Sequence, residues 1–192
     1  MSCVPRLPYR SFARPPYVQR YAMFENIKRF FEADSGSQPP ADLPFDYDDL
    51  VLLDAEDLAE VGILEAYQQL HPQLRQYGAA EIDIAEEVDE DAGTYTVLAD
   101  GIRYPIYGED AEEDAWVLAT IAFFDIVNAG LADASHRFYA LNGGNDLAGI
   151  FLSDEQFRLA QQCFKRAMDR PWVPVNQPPH YGFPQDEEAP AP

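Results

Sequence analysis

The sequence predicts an α+β fold: a mostly antiparallel sheet of about five strands packed against several helices, in a single domain with extended N- and C-terminal arms. Three observations point there. Apolar residues recur at helical spacing in four separate stretches. Between them lie β-branched and aromatic segments joined by Asp-Gly or Asn-Gly turns, the pattern of antiparallel hairpins. The composition also shifts at both ends. Residues 1–22 hold Arg6, Arg10, Arg14 and Arg20 with four prolines and no acid, and residues 171–192 hold seven prolines. The organisation expected is a Pro/Arg-rich arm over 1–22, a globular domain over 23–170 and a Pro-rich acidic tail over 171–192. The abrupt switch at Met23 fits a true start there, with residues 1–22 an over-long reading of the gene.

The elements follow in order. Phe24, Ile27, Phe30 and Phe31 lie along one face of a helix over about 23–33. Ser35-Gly36-Ser37 and Pro39-Pro40 mark a loop from Asp34 to Asp49. Asp54 is a good N-cap for a second helix, with Leu58, Val61, Ile63, Leu64, Tyr67 and Leu70 as its buried stripe. Pro72 lacks an amide hydrogen and crowds the preceding turn, so His71-Pro72 should kink or end that helix.

Three strands are then expected: Glu81–Ile84, Thr94–Leu98 and Ile102–Tyr107, the last two joined by Asp100-Gly101. A third helix over about 110–128 opens on Glu109 to Asp114, which favour the positive end of the helix dipole. Beyond Ala115 it is nearly all apolar and should pack at the centre. Arg137–Leu141 and Ala148–Leu152 form a second hairpin around Asn142-Gly143-Gly144-Asn145-Asp146, where the glycines permit positive φ. Ser153 and Gln156 form a capping box that opens a last helix to about Asp169. The tail should be extended and partly disordered, with Trp172 and Val173 as its docking residues.

Charge is the dominant functional signal. The chain of 192 residues carries a formal net charge of −21, and beyond residue 22 there are 34 acidic against 9 basic side chains, or −25. Such a charge repels nucleic acid and anionic membranes and speeds encounters with basic partners. No apolar run reaches the roughly 20 residues of a membrane-spanning helix. Cys3 and Cys163 form no disulfide framework, which suits a reducing cytoplasm. There is no H-E-x-x-H, C-x-x-C or G-x-S-x-G motif. The Asn142–Asp146 segment lacks the lysine and hydroxyl of a phosphate loop, and Asp83–Thr94 lacks the spacing of a calcium loop. No catalytic residue, metal site or cofactor is therefore assigned.

Two acidic runs are the candidate partner-binding site: Glu86, Glu87, Asp89, Glu90 and Asp91, then Glu109, Asp110, Glu112, Glu113 and Asp114. The first is expected between two strands and the second at a helix entrance, both at one end of the sheet. Tyr104 and Tyr107 join them as aromatic anchors, as do the neighbouring Tyr77, Tyr95 and Tyr139, because aromatics dominate binding hot spots. The expected partner is a basic protein, without direct nucleic acid or membrane contact.

A compact acidic α+β domain with no catalytic set resembles the small immunity proteins that bacteria keep against polymorphic or contact-delivered toxins. Tyr139-Ala140-Leu141-Asn142-Gly143-Gly144-Asn145-Asp146-Leu147 is similar to the "NGG" turn of one large immunity superfamily. That superfamily carries a leucine-proline-x-x-tyrosine/phenylalanine segment on an upstream helix, whereas Leu43-Pro44-Phe45-Asp46-Tyr47 here lies far upstream in an expected loop. The resemblance implies stoichiometric inhibition, an acidic face occluding a basic active-site cleft such as that of a nuclease toxin. Two other readings fit the same residues. One is a nucleic-acid mimic or regulatory adaptor that binds a basic protein. The other is a metal-dependent enzyme using acids such as Asp89, Asp91 and Asp146.

Overall fold

The computed structural model describes residues 43–108 and 114–185. The predicted helix over 23–33, the arm over 1–22, the tail end from residue 186 and the acids Glu109, Asp110, Glu112 and Glu113 lie outside the described residues. Within them, six strands form two antiparallel three-stranded sheets. The first has the order β1 (Val51–Leu52), β6 (Ala148–Ser153), β5 (His136–Leu141). The second has the order β2 (Ile84–Asp89), β3 (Thr94–Ala99), β4 (Ile102–Tyr107). Four α-helices accompany them: α1 (Ala55–Ala59), α2 (Ile63–Gln76), α3 (Ala115–Gly130) and α4 (Asp154–Cys163). The α+β, antiparallel character expected from the sequence holds, with the strands divided between two sheets.

The apolar helix α3 is the keystone. It packs against β4 of one sheet, β5 of the other, and both α1 and α2. Its Phe124 stacks on Phe138 of β5 with ring centroids 4.9 Å apart, and Phe123 meets both rings edge-on. Phe138 is accommodated because Gly149 stands across the hairpin: a Cβ there would overlap the Phe138 ring. The opposite face of the first sheet buries Tyr139, Leu141, Ile150 and Leu152. Phe157 and Ala160 of α4 cover that face, with Tyr139 stacked on Phe157 at 4.1 Å. The first sheet is thus covered on both faces.

The outer edge of β5 is closed by two unlike devices. The Asn128 side-chain amide donates to the Phe138 carbonyl at 2.9 Å and accepts from the Phe138 amide at 2.8 Å, as a neighbouring strand would. One residue pair further on, Ala140 and Trp172 exchange both backbone hydrogen bonds. Trp172 is buried, donates its indole hydrogen to the Asn142 carbonyl and meets Phe183 edge-on. Trp172 therefore docks as expected, whereas Val173 stays exposed.

Turn chemistry follows the sequence closely. Asp100 and Gly101 both take positive φ between β3 and β4, and Asn142 and Gly144 do so between β5 and β6. Ser153 and Gln156 close both halves of the capping box on α4.

Four expectations need correction. The second helix is broken: Asp54 caps it, but α1 ends at Ala59, and Val61 adopts φ 64° before α2 begins at Ile63. Gly62 permits this turn, since any Cβ there would overlap the Asp57 carbonyl, and with the helix broken Val61 leaves the apolar stripe. Of the two outcomes expected at His71-Pro72, the ending does not occur: α2 runs one turn further because buried Leu70 and Leu74 hold the turns on either side. The strand expected over 81–84 starts only at Ile84, because its partner Ala99 is the last residue of β3 and Asp83 bonds instead to Asp100 in the turn. The last helix stops at Cys163, where Phe164 turns extended to bury its ring against Phe45.

Candidate functional site

Antiparallel register places the first acidic run. Asp89 pairs with Thr94 and Tyr95 pairs with Tyr107, so the 90–93 turn and the exit of β4 at Gly108 share one end of the second sheet. Asp114 lies exposed just before α3.

The acids of the first run do different jobs. Glu86 points to the helix side and is half-buried. Its Oε1 accepts from the Leu64 amide at 3.0 Å and from the Tyr95 hydroxyl at 2.6 Å. This carboxylate serves the first turn of α2, whose own N-cap, Gly62, has no side chain to offer. Burial, then the hydrogen bond to Glu86 and its charge, push the Tyr95 phenol far above its ordinary range. Glu87 pairs with Arg103 across the opposite face at 3.0 Å, both ends solvated. Asp89 Oδ1 accepts from the amides of Asp91 and Ala92, each at 3.0 Å, and so shapes the turn. Glu90 and Asp91 are left on the exposed tip.

The tyrosines also separate. Tyr107 is exposed at the acidic end. Tyr104 pairs with Val97 in mid-sheet and packs against the core, where burial and then the nearby Asp125 raise its hydroxyl's pKa. Tyr95 and Tyr139 are buried, and Tyr77 packs against Phe151 and His136. The sequence reading missed Val61, Val88 and Trp116, three large apolar side chains left exposed. Gly62 was the available signal for Val61. Nothing in the one-dimensional pattern separates Val88 from a buried strand residue.

A shallow groove of about 530 Å³ runs between α2 and β2, lined by Val61, Leu64, Glu65, Gln68, Gln69 and Glu86. Among the described residues, no group of three or more His, Cys, Asp or Glu side chains is placed to hold a metal ion. Among the same residues, no helix is long and apolar enough to cross a membrane. Comparison with protein-family models, curated proteins and solved structures gave no match to this chain.

Proposed function

We propose that this protein is an acidic binding protein of the cytoplasm that occludes a basic surface on a partner protein, in the manner of an immunity protein neutralising a toxin. One observation carries the reading. The 90–93 turn and the exit of β4 toward the second acidic run lie at the same end of one sheet. Across residues 84–107 Arg103 is the one base, and it is paired with Glu87. A field of one sign at one end of the fold steers a basic protein into encounter and penalises acidic competitors.

The test is co-purification from the native host at low salt, followed by titration of the recovered complex with salt. The expected partner is a basic protein whose affinity falls steeply as ionic strength rises, because exposed charges are screened beyond about 10 Å at 0.1 M salt. A toxin encoded beside this gene would favour the immunity reading over a general adaptor. Binding indifferent to salt overturns the electrostatic mechanism.

A further inference from the structure

We infer that the acidic end of the second sheet has an apolar centre, and that it docks a partner segment in which an apolar side chain is flanked by lysines or arginines. This rests on the basic-partner reading above and adds what the partner must present besides charge.

The centre follows from register and exposure. Val88, Tyr95 and Tyr107 form one row across β2, β3 and β4. Tyr95 is buried in the middle, but Val88 is 51% and Tyr107 39% exposed. The helix-facing side of this sheet therefore emerges into solvent at its acidic end. Val61, 39% exposed, borders Glu86, the residue two before Val88 on the same strand face. Trp116, 44% exposed, opens α3. The last residue of that helix, Gly130, lies against Ala80 and Ile82 just before β2 starts. Its first turn is roughly 22 Å from that end, at 1.5 Å rise per residue, and the helix packs against β4, which ends at Tyr107.

Charge complementarity selects the occupant. Glu90 and Asp91 lie two and three residues after Val88, Glu60 precedes Val61 and Asp114 is two residues before Trp116. An apolar middle with a charged rim is how protein interfaces are built, and large aromatic side chains supply most of their binding energy. A purely apolar segment would leave the rim carboxylates facing an uncharged surface. A purely basic one would leave Val88 and Trp116 in water.

The experiment uses two fluorescent peptides of equal length and charge, one alternating lysine with leucine and the other lysine with serine. Binding to the full chain is measured by anisotropy at low salt. The leucine peptide should bind about tenfold more tightly, the gain from burying one aliphatic side chain. Val88→Thr combined with Trp116→Gln, which leaves the net charge unchanged, should reduce it to the level of the serine peptide. Leu159→Gln on α4, an exposed apolar residue elsewhere, should change neither, and circular dichroism checks that each variant is folded. Equal binding of the two peptides, or a preference that survives in the double variant, overturns the apolar centre while the electrostatic reading stands. Failure of both peptides to bind overturns both.

Discussion

The Tyr95 hydroxyl donates to Glu86 Oε1 at 2.6 Å, and the same oxygen accepts the Leu64 amide at the start of α2. One acidic residue on a strand thus ties the core tyrosine of the neighbouring strand to the first turn of a helix. Replacing Tyr95 with Phe removes a hydrogen bond to a charged acceptor and should cost about 2 kcal/mol in urea unfolding. Glu86→Ala should cost at least as much, because it strands both the buried hydroxyl and the helix amide. Glu86→Gln retains an acceptor and should recover part of the loss.

Alkaline pH should destabilise the fold through its tyrosines. Burial, with Asp169 adding to it, pushes the Tyr47 phenol up to about 12, and Tyr95 is pushed higher still. Both folded-state values lie above the unfolded one, so the folded chain holds these protons more tightly. The stabilisation is complete below pH about 10 and is lost as pH rises above it, through about 12 for Tyr47. Thermal melts from pH 8 to 12, compared between the parent and Tyr95→Phe, check this. The variant should lose stability less steeply over that range.

Gly149→Ala should be among the most damaging small changes in the molecule. The added methyl would overlap the Phe138 ring, itself held by Phe123, Phe124 and Phe151. Overpacking of this kind typically costs about 1–3 kcal/mol. Phe138→Leu destabilises alone by opening a void. Combined with Gly149→Ala it should cost less than the sum of the two, as denaturant midpoints in a double-mutant cycle will read.

Val61→Asn should raise stability. A β-branched residue at φ 64° pays about 1–2 kcal/mol for the left-handed conformation, which asparagine adopts more readily. The expected gain is about 1 kcal/mol, or roughly 2–4 °C in Tm for a chain of this size. A lower melting temperature would show that the Val61 side chain contributes more to packing than its exposure suggests.

Much of this architecture could be read in one dimension wherever a local rule acts alone. Asp100-Gly101 needs positive φ, Ser153 needs Gln156 three residues on, and the run from Ala115 can be stable only when surrounded by protein. The misreadings arose where a distant contact outweighed a local preference. Leu70 and Leu74 carry α2 across Pro72, and Phe164 leaves its helix to reach Phe45. The acidic end was legible as composition, but individual duties were not. Glu86, Glu87 and Asp89 are close in sequence, yet one anchors a helix, one pairs with an arginine and one shapes a turn. Strand alternation separates Glu86 from the other two, and the end of β2 separates Asp89, at the turn, from Glu87, opposite β3.

The asparagine and tryptophan that close β5 also bear on how copies of this chain meet at high concentration. A strand with free amides and carbonyls is a template on which another chain can be added indefinitely. Here the Asn128 amide and the Trp172 backbone already occupy those positions at Phe138 and Ala140, and the far side of the sheet ends in β1, only two residues long. The first sheet is therefore finite by construction. Among the described residues, the edges left for sheet-to-sheet polymerisation, if forced by heat or acid, are those of β2 and β4. On β2 the carboxylates that we propose as the attraction for a basic partner also repel identical molecules, so the same charge would serve recognition and dispersal.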